Sequence, residues 1–581
     1  MNTALGNEKA DLVITNGDLI NVYTGELLKG QSVSIKGERI AYVGEDAGHT
    51  IGSQTEVIDA SGKILIPGLI DGHAHILGFL YSPHEFLRYA MCGGTTTIIT
   101  ETMEIAFPLG HQGIIEFLES VKSQPIKIFA TVPSMVTISP SAEAEAIDTT
   151  TMRELLSRAD VLGLGETYWS NLYHDNHQRV LDLMAEALAT GKRLEGHSAG
   201  ARDNKLASYV TTGVTSCHEP TTVEETLERL RFGLHAMIRE GDIRMELPEI
   251  AGIKDRDIDL RRATLCTDGI AVERLVQDGF MEFVLQRAID FGIDPIRAVQ
   301  MATLNTAEHF RIDDSVGGIA PGKYADILML PDLKTIKAEV VISNGRIIAR
   351  NGEVEVAPHT HKFAVDIPRS VKIDRQIVPK DFAISTQIKD GTSRVRVMDF
   401  VAPLVTREKQ MDMVVSNGEI KADTERDILK IAVLTTVNGR EKIFTGLVKG
   451  SGLKEGAFAV SDVWDACALL VVGANDYDMA EAINRIVALK GGLVVSCNGN
   501  VQAELALPVG GIMSEEPMET IVEKFRGIKQ SLATLGSLLS DPHLSLLTCT
   551  SSSIPFLRIS EEGLVDTRSG EQVDLIVEAG N

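Results

Sequence analysis

The chain has 581 residues, 44% of them hydrophobic and 24% charged, with a formal charge of −25; this length predicts several domains, and this composition excludes a disordered or fibrous protein. The acidic balance argues against a general binder of nucleic acid or anionic membrane, since both need a basic face. Six cysteines, none in CxxC spacing, point away from a thiolate zinc ribbon or thioredoxin-like pair and toward buried thiols in a reducing compartment.

The N-terminal MNTALGNEKADL carries acidic residues and no apolar h-region, so no signal peptide is expected. No apolar run approaches the roughly 20 residues of a membrane helix, and a soluble cytoplasmic protein is expected. Asp11–Gly17 reads as a strand ending in an Asn-Gly turn, and Ser32–Gly37 with Arg39–Gly44 as a hairpin. Strand-like and helix-like segments then alternate. The strand candidates are Ile64–Asp71, Thr95–Glu101, Ile126–Pro133, Asp160–Glu166, Gly191–His197, Val214–Glu219, His235–Gly241 and Arg262–Asp268, and the clearest helix is Thr222–Phe232. This alternation predicts an α/β protein built on a (β/α)8 TIM-type barrel. Short strands return at Ala325–Leu330, Glu339–Gly345 and Arg346–Arg350, and should form one sheet with the N-terminal strands. Pro358, Pro368 and Pro379 mark a boundary. Beyond it, strand Leu469–Gly473, helix Asp478–Leu489 and strand Gly491–Ser496 predict a C-terminal α/β domain. The expected division is a small β-domain from 1–65 and 320–365, a barrel over 66–319 and a C-terminal domain over 375–581.

The strongest chemical signal is Asp71-Gly-His73-Ala-His75. Strand residues i and i+2 share a face, so both imidazoles should enter one cavity at the C-terminal mouth of the first barrel strand, where barrel enzymes place their chemistry. Neutral imidazoles are good metal ligands, although packed or surface histidines explain an isolated HxH equally well. Other predicted strands end in Glu166, in Glu195-Gly-His197, in Cys217-His218-Glu219 and in Cys266-Thr-Asp268. Each alone reads as a cap or rim residue; their agreement at five strand ends favours a shared site. Four histidines, one bridging carboxylate and one aspartate suit two divalent metals and a bridging hydroxide. Arg239 and Glu240 read as a structural ion pair.

With these residues in place, the sequence resembles the amidohydrolase superfamily and, within it, the adenine deaminase family. The resemblance spans nearly the whole chain, through Pro67–His75, Gly94–Thr97, Gly196–Gly200, His218–Thr222, Met237–Gly241 and Cys266–Asp268. In the C-terminal region it runs through Asp427–Val433, Val448–Lys454, Gly491–Val495 and Met513–Pro517. It implies that His73, His75 and Asp268 bind one metal, that His197 and His218 bind the second and that Glu166 bridges, with manganese or iron as the metals and zinc as an alternative. The implied reaction is adenine plus water to hypoxanthine plus ammonia, a metal-bridging hydroxide attacking C6. Asp268 would take its proton. Glu219 would protonate the ring nitrogen or would instead orient His218; both readings stay open. A small-molecule purine-like substrate and a homo-oligomer are implied, with no nucleic-acid or membrane partner.

The sequence departs from the family pattern where substrate is read. Ile76-Leu-Gly-Phe79 replaces Ile-Glu-Ser-Ser, Glu101-Thr-Met-Glu replaces Asp-Pro-His-Glu, Gly269 replaces a second Asp and Trp464-Asp-Ala-Cys-Ala468 replaces His-Asp-Ser-His-Asn. Leu77, Phe79, Met103, Gly269 and Trp464 are therefore expected to shape the substrate pocket. Loss of polar groups that read a base edge changes preference. An N6-substituted adenine, another amino-heterocycle or a cyclic amide stays as an alternative substrate. A non-catalytic scaffold is disfavoured because all six ligand candidates are present. The absent CxxC excludes the unrelated zinc deaminases of nucleobases.

Overall fold

The computed structural model describes residues 1–173, 178–363, 373–402, 404–437 and 440–577. Pro368, at the expected boundary, lies outside the described residues.

Strand Leu12–Asn21 pairs antiparallel with Glu26–Lys36, which pairs in turn with Arg39–Gly44. The expected Asn16-Gly17 turn is instead a bulge within one long strand, with Asn16 at φ 61 and register shifts on both sides of Gly17. The physical reason is close packing: a Cβ on Gly17 would lie 2.6 Å from Leu65. Strand Ile64–Pro67 pairs parallel with this first strand and antiparallel with Ile327–Leu330. The nine-stranded sheet is thus drawn from both flanks of the central region, as expected.

The expected strand Ile64–Asp71 is two strands. The chain leaves the flank sheet after Pro67 and enters the barrel at Leu69–Ala74. Gly68 makes the crossing, where a Cβ would stand 2.1 Å from Thr96 Oγ1. The parallel barrel strands continue as Thr95–Thr100, Lys127–Val132, Val161–Tyr168, Arg193–His197, Ser216–Cys217, His235–Arg239 and Ala263–Cys266. They form a five-stranded and a three-stranded sheet. Thr215 N donates to Leu194 O at 2.9 Å across one seam; across the other, Asp268 N donates to His73 O at 2.9 Å and His75 N to Asp268 O at 2.6 Å. The ring closes through residues of the candidate site itself.

Helix Val223–Arg231 starts where Thr222 Oγ1 accepts from Glu225 N at 3.2 Å, with acidic residues in its first turn and basic ones in its last. Its buried Arg229 donates to the carbonyls of Ser198 and Ala201, fixing the loop that follows His197. The C-terminal region is built on a ten-stranded, mostly antiparallel sheet and a small three-stranded one, with helices Asp476–Leu489 and Met518–Thr534 packed on the large sheet. One apolar cluster joins barrel residues such as Phe86 and Phe280 to Phe458, Leu470 and Phe525 of the C-terminal region. No helix among the described residues is long and apolar enough to cross a membrane.

Candidate metal centre

His73 and His75 flank Ala74 at the end of the first barrel strand, and both Nε2 atoms lie 3.1 Å from Glu166 Oε1. Asp268 Oδ1 is 3.6 Å from His73 Nε2 and 3.2 Å from His75 Nε2. The other Glu166 oxygen, Oε2, lies 3.1 Å from His197 Nδ1, and His218 Nε2 stands 3.5 Å from Oε1. Three groups of candidate ligands result, His73–His75–Glu166–Asp268, Glu166–His197–His218 and His218–Glu219–Asp268, each with its donor atoms within 4.8 Å of one another. His73 Nε2 is buried among these acceptors with no hydrogen-bond partner. A divalent metal site shared across Glu166 fits this donor set.

The electrostatics agree. The carboxylates pull His73 up to about 10 and His197 to about 9 against the effect of burial. Burial and the neighbouring His73 push His218 down to about 4, leaving a neutral ligand. The cluster gathers positive charge, so a metal binding there competes with protons.

Two acids steady the imidazoles from behind. His75 Nδ1 meets Glu104 Oε1 at 2.5 Å; Glu101 Oε1 lies 3.8 Å from His73 Nδ1 and accepts from Glu166 N at 3.3 Å. Neither role is legible in the sequence, where the only signal is a pair of acids just past the second barrel strand.

Arg239 is the other group sequence reasoning misplaced. It is 2% exposed. Its Nη1 donates to Glu219 Oε1 and, at 2.9 Å, to Asp268 Oδ2, while Nη2 lies 3.5 Å from Glu246 Oε1. Glu240 instead holds Arg287 at 2.8 Å and accepts from Leu247 N at 3.1 Å. The expected Arg239–Glu240 pair does not form, because consecutive strand residues point to opposite faces. Burial raises the carboxyls of Asp268 and Glu219, but the histidines and Arg239 win and hold both well below the carboxylate range. Glu219 Oε1 is 3.3 Å from His218 Nε2, the same nitrogen that faces Glu166. It therefore sits on the ligand side of His218, not behind it.

A cavity of about 710 Å3 opens over this cluster. Met103 and Trp464 line it, with Phe107, Trp169, Ile243 and Ile512 as further apolar wall. Leu77 does not line it; it is fully buried in the core. Gly269 and Phe79 are also absent from the wall. A Cβ on Gly269 would lie 2.0 Å from Phe79 Cε2, so the Phe79 ring fills the space a side chain at 269 would need. The C-terminal region supplies wall residues the sequence did not indicate. Asp465 accepts from Tyr168 Oη at 3.2 Å, from Ser551 Oγ at 2.7 Å and from Ser552 N at 3.0 Å, and the Tyr168 ring packs edge-on to His197 at 4.9 Å.

Residues 64–352 match the family model described as Amidohydrolase family, and residues 403–571 match that of the Adenine deaminase C-terminal domain. The chain is 36% identical over 578 residues to a protein of Moorella thermoacetica named adenine deaminase, covering 99% of this chain and 97% of that one. It is 35% identical over 582 residues to a Clostridium botulinum protein of the same name, covering 99% and 96%. To a protein of Rhizobium meliloti named adenine deaminase 3 it is 34% identical over 587 residues, covering 99% and 98%.

Proposed function

The chain belongs to the adenine deaminase family of the amidohydrolases, and from that premise we propose that it hydrolyses adenine to hypoxanthine and ammonia at the His73–His75–Glu166–His197–His218–Asp268 cluster. The observation that carries this reading is the convergence of these six side chains from five strand ends, with the two oxygens of Glu166 turned to different histidines. We assign two divalent ions to the cluster, manganese or iron, with zinc as an alternative. When bound, they supply a nucleophile from water at neutral pH and a positive field for the charge that develops on the ring.

The side chains divide the rest of the work. Asp268 turns Oδ1 to the histidines and has Oδ2 tied to Arg239, which fixes it as the base for the attacking water. Glu219 lines the cavity as a carboxylate, so it first takes one proton of the attacking water and then passes it to N1, which makes C6 electrophilic, while Asp268 takes the other. Of the two protons of water, one ends on N1 and one on the leaving amine; Glu219 delivers the first and Asp268 the second. Glu104 holds His75 in place through its hydrogen bond, and the Glu101 carboxylate stands 3.8 Å behind His73.

The wall of Met103, Phe107, Ile243 and Trp464, around a cavity far larger than a purine, favours a second reading in which the exocyclic nitrogen carries a substituent. Ammonia and amine release from adenine and N6-methyladenine, measured beside metal content on one sample, tests both. Turnover of adenine with two metals per chain supports the first reading. An inert adenine beside a reactive N6-methyladenine transfers the same chemistry to the second. Release from neither rejects both readings.

A further inference from the structure

Asp462 lies between strands Ala457–Val460 and Leu469–Gly473 of the C-terminal sheet and lines the cavity. Its side chain is 5% exposed. Oδ2 accepts from His543 Nε2 at 2.7 Å, whereas Oδ1 is buried and has no partner among the described residues. His543 is itself buried, on the short helix Pro542–Leu547 and edge-on to Phe525 with ring centroids 5.5 Å apart. It is a rigid backing for the carboxylate.

A buried carboxylate oxygen without a donor is costly, and such groups persist in a fold mainly where an unseen partner or a function accounts for them. Three cavity-lining residues carry a buried polar atom without a partner: the acceptors Glu104 Oε2 and Asp462 Oδ1 and the donor Arg239 Nε. Glu104 holds His75, and Arg239 holds Asp268 and Glu219. Asp462 has no contact with the metal-ligand cluster and no part in the proton path. It belongs to the wall that the C-terminal region contributes.

We propose that Asp462, backed by His543, is a specificity-determining residue that accepts a hydrogen bond from the five-membered-ring N–H of a free purine base. The inference rests on the reading of the site as a deaminase of purine bases. With C6 over the metal cluster, the five-membered ring is the edge of the purine turned away from it, toward the rest of the wall. Adenine carries one ring N–H, on N9 or N7. A 9-substituted adenine or a nucleoside carries none. A cavity of about 710 Å3 has room for a sugar, so size alone does not exclude a nucleoside. An unpaired buried acceptor does, because a ligand lacking the N–H leaves it unsatisfied.

The test compares binding of adenine and 9-methyladenine to the metal-loaded and metal-free chain, for wild type, Asp462→Ala and Asp462→Asn, with adenine turnover followed in parallel. Wild type should bind adenine about 100-fold tighter than 9-methyladenine, and Asp462→Ala should lose most of that factor for adenine while binding 9-methyladenine within about twofold of wild type. In turnover the loss should appear in KM, with kcat little changed. Asp462→Asn keeps the shape of the side chain and decides the matter if the alanine variant does not fold: selective loss for adenine supports the proposal, and equal loss for both ligands overturns it. Wild-type binding that does not distinguish the two ligands also overturns it. An Asp462-dependent preference in binding without ammonia release would sink the deaminase reading and leave this one standing; ammonia release without the preference would do the reverse.

Discussion

At the scale of single residues, Asp268 divides its work between backbone and side chain. Its N–H and C=O close the barrel against His73 and His75, at a left-handed φ of 61 that Asp and Asn tolerate better than most residues. Its carboxylate spans the histidines and Arg239. Asp268→Asn should therefore keep the fold, unchanged by circular dichroism, and lower kcat by about 100- to 10,000-fold, the usual worth of a positioned general base. Activity near wild type would remove the assigned role. Arg239 makes a separate case. Replacing it with Met strands Glu219 and Asp268 side by side in a dry site and should destabilise the metal-free protein by about 3–5 kcal/mol. Divalent metal would relieve the same repulsion, so the gap in Tm between Arg239→Met and wild type should narrow on metal loading. A gap independent of metal would show that Arg239 serves the fold alone.

At the scale of elements, the eight barrel strands were legible because each is short, apolar or β-branched and bounded by a turn or helical period. Their C-terminal ends were legible too, since period 2 decides which side chains turn inward. What lies beyond the strand ends was not. Phe79 and Gly269 sit after different barrel strands, and the sequence shows two unrelated departures from the family; in the fold they are one compensated contact. Gly269→Asp alone should cost about 1–3 kcal/mol by overpacking. Adding Phe79→Ser should recover most of it, a coupling that a double-mutant cycle in urea would measure. Equal costs with and without Phe79 would show that the contact is incidental. Helix Met281–Asp290 offers a pH test. Glu282 at its start is pushed up to about 7 by burial, and its Oε2 is buried without a partner. Its folded pKa lies above the ordinary 4.5, so the stability it contributes is full below that value and is lost as pH rises through about 7. Glu282→Gln should be more stable than wild type at pH 8 and about equal at pH 5. The same difference at both pH values would contradict the assignment.

At the scale of the whole molecule, the cavity is a joint product. The barrel supplies the His/Glu/Asp cluster, and the C-terminal region supplies Asp462, Trp464 and Asp465. The apolar cluster that runs through both ties their cores together, and on that packing they are expected to unfold as one unit. Calorimetry should show one transition, and metal should raise its midpoint, because only the folded chain holds the donor set together. Two transitions, with only the barrel's responding to metal, would show that the regions unfold independently.

The sequence by itself determined the barrel and the two-flank sheet and put the six proposed metal ligands at strand ends, because strand period, turn residues and ligand type are local properties that repeat along the chain. Tertiary structure alone decided that Arg239 clamps Asp268 and Glu219, that Leu77 is core and not pocket wall, and that Asp462 and Asp465 join a site nearly 200 residues away in sequence. Those outcomes depend on how loops and distant segments pack, and no local period encodes a contact between side chains that the chain brings together only when the whole core closes.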